Sequence, residues 1–410
     1  MVLNYIWVGF FLVAMVAAIV QCIFFQDFGV FERIVNGTFA MAKMSVIDIA
    51  LPLSGTMILW LGIMNIGERA GAIRFLSRII GPFFAKLFPG IPEDHPVNGQ
   101  LVMNFSANML GLDNAATPLG LKAMAGLQSL NTKKETASDA QIMFLALNTS
   151  GLTLIPVTIM TQRFVMGAKD PTDVFIPLLL STFASTLIAI IYVGIRQHLN
   201  LLNRVVLGWL GGITLFIGIL IAVFSQMDQQ TMIFWSKVVS NVLLFTIIVT
   251  FIVGALIKRV NVYEAFIGGA KTGFETSVKV MPYLVGMLVA IGVLRDSGAL
   301  DFVLKGVRFC FSFLPNTDFV DSLPTALMKP LSGSGAKAMM VETMQKFGAD
   351  SFPGRLSCLF QGAADTTFYI IALYFGSVGI KRTRYAVTAG LVADVGGAIA
   401  AILIGYAFFH

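Results

Sequence analysis

Residues 104–124 read NFSANMLGLDNAATPLGLKAM. Most of its residues are apolar or small, but Asn, Ser, Asp, Thr, Pro and Gly interrupt the run. At membrane depth, polar and irregular backbone is tolerated only where it packs against protein or lines a cavity. We therefore predict that 99–126 forms two short helices around a polar turn inside the protein, rather than a lipid-facing helix.

A second interrupted stretch lies in the C-terminal half. Residues 329–340 read KPLSGSGAKAMM, within an apolar region that covers 322–345. A polar turn between short helices exposes helix N-termini and free carbonyl groups to a ligand. The alternative interpretation is that the small residues serve only helix packing and capping.

The composition is that of a membrane protein. Of the 410 residues, 57% are hydrophobic and 12% are charged, whereas a soluble domain carries roughly 25% charged residues. Lipid is the environment that accommodates this excess of apolar residues. The net charge of +6 is spread over short connections, which is typical of lipid headgroup contact and topology signals and not of nucleic-acid binding.

Segments of about 20 apolar residues can cross a bilayer as helices. We predict an all-α polytopic membrane protein in contact with the lipid bilayer. The predicted spans are 4–25, 45–64, 140–160, 174–195, 205–224, 233–257, 276–294, 357–376 and 385–409.

Two further segments read as amphipathic helices that lie in the membrane interface. In 68–90, Arg69, Arg74 and Arg78 alternate with apolar residues at near-helical spacing, and 296–314 has the same character.

Other features also occur twice in the same order, which predicts an internal duplication. The matched pairs are Val30-Phe31-Glu32 with Val262-Tyr263-Glu264, Pro52 with Pro282, Gly62 with Gly292, Gly71-Ala72 with Gly298-Ala299, and Lys122-Ala123-Met124 with Lys337-Ala338-Met339.

The distribution of Lys and Arg sets the predicted orientation, with the N-terminus in the cytoplasm. The cytoplasmic connections are then 65–98, 131–139, 196–204, 258–279 and 377–384, and the opposite ones are 26–44, 161–173, 225–232, 295–321 and 346–355. Each half has an even number of crossings plus one interrupted segment that returns to its own side, and one helix joins the halves. We therefore predict two repeats of inverted topology, each with transmembrane helices, an interfacial amphipathic helix and a re-entrant helical hairpin. The boundaries are 1–200 for the first repeat, 201–230 for the linker helix and 231–410 for the second repeat.

Polar residues in the interrupted segments and in the helices after them are the candidate solute-binding groups. Their amides and hydroxyls suit the hydroxyls or heterocycle edge of a small polar solute. The candidates are Asn104, Ser106, Asn108, Asn114, Thr117, Asn148, Thr149, Ser150, Ser332, Ser334, Gln361, Thr366 and Thr367.

Charged residues at membrane depth are costly and usually face the protein interior. Asp365 and Asp394 are candidates for coupling to Na⁺ or H⁺, or for structural pairing with Lys329 or Lys337. Asp113 and Lys122 could pair with each other, or lie on opposite arms of the first hairpin.

Enzyme signatures are absent from the sequence. There is no HExxH motif, no GxxxxGK[ST] loop and no GxSxG elbow with plausible partners. We expect no catalytic residue, no metal site and no cofactor other than a coupling ion.

These motifs carry a family resemblance. Residues 104–124 resemble the signature of the spore maturation protein A family. Residues 329–340, with QGAADTTFY at 361–369, resemble the spore maturation protein B family. The chain resembles a natural fusion of the two. Both families belong to the gate, or nucleoside-recognition, group, which is similar to a re-entrant hairpin module of concentrative nucleoside transporters and ferrous iron transporters.

The resemblance implies that 99–126 and 322–345 are the two hairpins, in a multi-pass protein of the bacterial inner (cytoplasmic) membrane. The Glu-containing binding motifs of nucleoside transporters are not found, so nucleoside specificity does not follow. We predict a secondary transporter of a small polar solute, nucleoside-like or another small metabolite. The alternatives are a non-transporting scaffold or sensor of the spore maturation type, and a passive channel. Relatives of the hairpin module form dimers or trimers, so the resemblance is compatible with a homo-oligomer.

Overall fold

The structure is a computed structural model that describes residues 2–92, 94–111, 113–225, 229–313 and 316–410. The described residues form helices and connections without a strand. In chain order the helices are α1 (Val2–Phe25), α2 (Val30–Met44), α3 (Leu51–Ala70), α4 (Ala72–Leu87), α5 (Val97–Met109), α6 (Asp113–Leu130), α7 (Asp139–Ser150), α8 (Val157–Val165), α9 (Phe175–Arg196), α10 (Arg204–Ser225), α11 (Gln229–Ile257), α12 (Val262–Asp296), α13 (Ala299–Cys310), α14 (Leu323–Met328), α15 (Gly333–Phe347), α16 (Phe352–Gly362), α17 (Thr367–Ser377) and α18 (Ala386–Phe409).

Long apolar helices confirm the membrane class. By length and composition, five described stretches could cross a bilayer: Trp7–Phe25, Val30–Ala70, Phe175–Arg196, Phe352–Ser377 and Ala386–Phe409. Large apolar side chains on α1 face outward, including Leu12 and Phe24, as lipid contact requires. The chain is therefore a multi-pass, all-helical membrane protein.

The predicted span 140–160 is not a continuous helix. Helix α7 ends at Ser150, and α8 begins at Val157. Gly151 adopts a left-handed backbone with φ of 54°, and Pro156 has no N–H to continue a helix. The predicted span 357–376 is also interrupted, because α16 ends at Gly362 and α17 begins at Thr367.

Two segments that we predicted as connections are helical. Helix α2 lies within 26–44 and continues through a π-helical turn, Ser45–Ala50, into α3. Helix α12 takes up most of 258–279 and extends to Asp296. With 35 residues, α12 is about 52 Å long, well beyond the ~30 Å of a bilayer core. A search for apolar runs detects only the apolar part of a long helix. The charged ends of α2 and α12 were therefore predicted as connections.

Helices α3 and α12 pack antiparallel along a seam of glycines. The Asn65 side chain donates to the Ala265 carbonyl at one end of the seam, over 2.6 Å. Nearer the middle, a Cβ on Gly273 would lie 2.6 Å from the Met57 carbonyl oxygen. Glycine is therefore required where the two backbones come this close.

Helices α9 and α18 form a second antiparallel pair. At one end, the Arg196 guanidinium lies 5.3 Å from the centre of the Tyr385 ring. Further along, the Ser185 hydroxyl donates to the Ala393 carbonyl over 3.0 Å. The pair therefore runs through the protein next to the interrupted helices, and its two ends carry different loops.

At each end of the α9–α18 pair, two loops contact each other. We call 131–138 and 378–385 the first loop pair. In it, the N–H groups of Lys381 and Arg382 donate to the Glu135 carbonyl. In the second loop pair, 166–173 with 348–351, the Lys169 N–H donates to the Asp350 carboxylate over 3.0 Å.

A buried ion network secures the second loop pair. Arg163 is fully buried and contacts Asp173 at 2.7 Å and Asp350 at 3.0 Å. Arg355 contacts the other carboxylate oxygen of Asp173 at 2.7 Å, and Arg163 also donates to the Ala349 carbonyl over 2.6 Å. These residues were not among the charged pairs predicted from the sequence, because they fall in predicted connections.

Candidate functional site

The two interrupted helices meet at their breaks. We call residues 151–156 the first break and 363–366 the second break. The Asp365 N–H donates to the Thr149 carbonyl over 2.6 Å, and a Cβ on Gly151 would lie 3.5 Å from the Asp365 nitrogen. Breaks leave carbonyl and N–H groups at helix ends without intrahelical partners. Such groups can bind a ligand within a membrane protein.

Helices α5 and α6 fold back on each other as a helical hairpin. The Asn104 side chain donates to the Ala116 carbonyl on the opposite arm over 2.8 Å. Near the turn, the Leu154 N–H of the first break donates to the Met109 carbonyl over 2.7 Å. The prediction of two helices around a turn is confirmed here, and the turn lies against the first break.

Helices α14 and α15 are joined by a second turn, 329–332. The Ser332 hydroxyl caps α15 by accepting from the Gly335 N–H over 3.0 Å. The Phe368 N–H, just after the second break, donates to the Pro330 carbonyl over 3.1 Å. Each hairpin turn is therefore hydrogen-bonded to the interrupted helix that follows it in the sequence.

A cavity of about 400 Å³ lies where these four segments come together. We call it the break cavity. The first hairpin supplies Asn108 and Thr117, and the second supplies Lys329, Gly333 and Lys337. The remaining lining residues are Gly111, Ala116, Asn148, Gly151, Thr153, Ile155, Pro156, Val157, Thr158, Ile159, Leu178, Gln361, Gly362, Ala364, Asp365, Tyr369, Ile370, Leu373 and Tyr374.

The structure brings seven of the seventeen described sequence-predicted residues to this cavity. The predicted residues that line it are Asn108, Thr117, Asn148, Lys329, Lys337, Gln361 and Asp365. The predicted residues that are described but do not line it are Asn104, Ser106, Lys122, Thr149, Ser150, Ser332, Ser334, Thr366, Thr367 and Asp394. The side chains of Asp113 and Asn114 lie outside the described residues. The backbones of Asp113 and Lys122 both lie in α6, about 14 Å apart along the helix axis. The interpretation that they lie on opposite arms of the hairpin is therefore wrong, and the helix separates them too far for direct pairing.

Several residues outside the cavity have structural contacts. Asn104 holds the hairpin arms together, and the Ser106 hydroxyl donates to the Val102 carbonyl over 2.8 Å. Ser332 caps α15, and the Ser334 hydroxyl lies 3.2 Å from that of Ser332. For these residues the packing and capping interpretation accounts for the observed contacts.

Gln361 is the lining residue with an unsatisfied polar atom. Its side chain is only 8% exposed, and Oε1 has no hydrogen-bond partner among the described residues. A buried acceptor without a partner costs free energy. The oxygen itself is buried in the cavity wall, so a donor on a solute would reach it after the side chain rotates toward the cavity.

Charges of both signs line the break cavity. Lys329 is buried, Lys337 is half-buried, and Asp365 is exposed. Asp394 lies behind the cavity wall, where its carboxylate accepts from the Thr367 hydroxyl over 2.6 Å. The cavity can therefore offer both cationic and anionic groups to a polar molecule.

Two lining residues that the sequence analysis missed are tyrosines. Tyr369 is exposed, and the buried Tyr374 hydroxyl lies 3.4 Å from Asn148 Oδ1. A tyrosine within an apolar span needs a partner for its hydroxyl, and this signal could have identified both.

No cluster of three or more His, Cys, Asp or Glu suited to a metal ion occurs among the residues that were described.

The Gate family model, described as nucleoside recognition, matches residues 50–164 and again residues 277–381. The two matches together cover more than half of the chain, and each includes one hairpin and one break.

Two curated relatives come from Bacillus subtilis (strain 168). Spore maturation protein A is 41% identical over 188 residues, which cover 46% of this chain and 92% of that protein. Spore maturation protein B is 45% identical over 148 residues, which cover 36% of this chain and 82% of that protein. No solved structure matches. The resemblance inferred from the motifs is confirmed, and the chain belongs to the Gate nucleoside-recognition family.

Proposed function

We propose that the protein is a secondary transporter of the bacterial cytoplasmic membrane that holds a small polar solute in the break cavity. One observation carries the proposal: two helical hairpins and two interrupted helices, distant in sequence, line one cavity of about 400 Å³. Small-molecule sites typically have volumes of 300–1,000 Å³. Discontinuous helices around a central site are a recurring feature of secondary transporters.

Inverted repeats are part of this proposal, with 1–200 and 231–410 as the repeats and 201–230 as the linker. When the two repeats are aligned in chain order, α7–α8 corresponds to α16–α17, and α9 corresponds to α18. The loop before α7–α8 then contacts the loop after α16–α17, and the loop after α7–α8 contacts the loop before α16–α17. The first and second loop pairs form this reciprocal arrangement at opposite ends of the α9–α18 pair. The antiparallel packing of α9 on α18, which are equivalent in this alignment, also supports inverted topology.

Helix lengths support re-entrant hairpins. Helix α5 has 13 residues and α15 has 15, which correspond to about 20 and 22 Å. Both are shorter than the ~30 Å hydrocarbon core. A hairpin with such arms enters the membrane and returns to the same side, which leaves its turn at the level of the breaks.

The lining chemistry defines the class of solute. Gln361 Oε1 requires a donor, such as an N–H or hydroxyl group. Lys329 and Lys337 provide positive charge for carbonyl, carboxylate or phosphate oxygens, and Asp365 provides a negative group. We infer a small metabolite with both donor and acceptor groups, for which a nucleoside is one candidate. Asp365 is the proposed coupling residue for Na⁺ or H⁺.

Solute uptake into proteoliposomes tests the proposal. Gln361→Leu should abolish saturable uptake, while leaving the melting temperature near that of the wild type. Gln162→Leu is the matched control, because Gln162 is fully buried with both amide atoms unpartnered among the described residues, but does not line the cavity. Retention of uptake by Gln361→Leu would remove the break cavity as the transport site.

A non-transporting scaffold or sensor is the second candidate, favoured by one observation. The Asn108 side chain donates to Asn148 Oδ1 over 2.9 Å, and Asn148 donates to the Phe144 carbonyl over 2.9 Å. Part of the polar lining therefore already stabilises the fold. If this is its whole role, Asn148→Ala lowers the melting temperature and no candidate solute shows saturable uptake. A passive channel would instead show non-saturating flux without ion dependence.

A further inference from the structure

A second cavity lies away from the break cavity. Its volume is about 820 Å³, and it is enclosed by α4, the start of α5 and the segment after α9. Its wall combines the exposed apolar residues Ala85, Pro89 and Met103 with polar side chains from α4 and the segment after α9. The site is therefore amphiphilic, which distinguishes it from the polar break cavity.

The polar side of this cavity is basic. Arg74, Arg78 and Lys86 line it from α4, with the amide groups of Asn200 and Asn203 opposite. None of its described lining residues is acidic. The three cations are solvent-accessible, so their charge is available to an anion without prior burial.

The corresponding helix in the second half has no comparable basic cluster. Helix α13 follows Gly298 as α4 follows Gly71, and both glycines have positive φ, 72° and 87°. At the position equivalent to Arg74, α13 carries Asp301, which pairs with Lys346 at 2.8 Å. The Arg308 side chain on α13 is paired with Asp321 at 2.8 Å. Of these two helices, α4 is thus the one that carries a basic cavity lining without an acidic lining residue beside it.

The position of α4 indicates the occupant. Its apolar face, which includes Ile80 and Phe83, is buried in the protein, whereas Phe75 and Ile79 are exposed beside the basic residues. Exposed apolar and basic side chains together are typical of a helix in the headgroup region of a bilayer. Basic pockets between helices on the cytoplasmic side suit anionic lipid headgroups.

We propose that this cavity binds one anionic phospholipid, with its phosphate near Arg74 and Arg78 and its acyl chains along Ala85, Pro89 and Met103. The guanidinium groups would form charge-assisted hydrogen bonds with the phosphate oxygens. The apolar wall would exclude water from the first part of the chains. This site is independent of the proposed transport function.

Native mass spectrometry of the delipidated full-length protein in detergent tests the proposal. Dioleoyl-phosphatidylglycerol should give a 1:1 adduct at concentrations at which dioleoyl-phosphatidylcholine does not. Arg74→Gln/Arg78→Gln should weaken phosphatidylglycerol binding at least tenfold. Lys305→Gln/Arg308→Gln, which removes two cations from α13, should leave that binding unchanged.

Three outcomes would overturn the proposal. Equal binding of the two lipids would show that the headgroup charge is not recognised. Unchanged phosphatidylglycerol binding in Arg74→Gln/Arg78→Gln would place the lipid elsewhere. If glycerol 3-phosphate displaced the lipid at equimolar concentration, the cavity would be a site for a soluble phosphate. The wild-type comparison of the two lipids decides the first point even if a variant folds poorly.

Discussion

The Asp365 N–H donates to the Thr149 carbonyl oxygen over 2.6 Å, so the two breaks are hydrogen-bonded to each other. Thr149 lies in the last turn of α7 in one interrupted helix, and Asp365 lies between the two parts of the other. The breaks of the two halves are therefore held at one place. Gly151 lies beside this contact with φ of 54°.

We predict that Gly151→Val separates the breaks. A β-branched residue at this φ is strained by about 1–2 kcal/mol, and its side chain would extend toward Asp365. Solute uptake should fall at least tenfold. Gly167→Val is the control, because Gly167 also has positive φ, 75°, but has open space around it. Equal uptake losses in the two variants would mean that backbone strain alone is responsible.

The glycine seam makes a separate prediction about stability. Gly273→Ala should destabilise the protein by about 1–3 kcal/mol, because the added methyl meets the Met57 backbone. Gly306→Ala, on α13 with nothing nearby, should be neutral or stabilising by up to about 1 kcal/mol. Thermal unfolding in detergent measures both. If Gly273→Ala left the melting temperature unchanged, the close approach of α3 and α12 would be wrong.

The buried ion network should be sensitive to loss of one partner. Arg163→Met removes a fully buried cation from Asp173 and Asp350, and should cost up to about 3–5 kcal/mol because the buried Asp173 carboxylate loses one of its two counter-charges. The double variant Arg163→Met/Asp173→Asn should recover part of this loss, since the two residues are in contact. Additive losses in the double variant would argue against direct coupling.

Asp365 is predicted to carry the ion dependence of transport. Asp365→Asn should remove the effect of Na⁺ or pH on uptake and change stability by less than about 0.5 kcal/mol, because the side chain is exposed. Asp301→Asn, in a surface pair with Lys346, should preserve both uptake and its ion dependence. Unaltered ion dependence in Asp365→Asn would assign the coupling to another group.

The sequence identified the segments of the candidate site better than its individual side chains. Polar interruptions in apolar runs predicted where helices turn back, and both turns lie at the break cavity. Which side chains face the cavity depends on helix rotation, which only tertiary packing sets. Asn148 lines the cavity and its neighbour Thr149 does not, because successive helix positions differ by about 100°.

The extent of the long helices could not be predicted from apolar content. Helices α2 and α12 continue past the bilayer core on charged residues, including Arg33 and Arg295, whose partners come from distant segments or neighbouring turns. Such pairs become visible only once the chain is folded. The same reason explains why the ion network around Arg163 was missed.

The thermal stability of the purified protein, measured with a panel of small polar solutes, tests whether the break cavity binds a solute. The panel comprises nucleosides, nucleobases, amino acids and dicarboxylates, each with and without Na⁺. A ligand at 100 times its dissociation constant stabilises the state it binds by about 2.7 kcal/mol. We predict that one chemical class raises the melting temperature of the wild type and of Gln162→Leu, but not of Gln361→Leu. If no compound stabilised the wild type, or if the same compound stabilised both variants equally, the break cavity would not be the solute site.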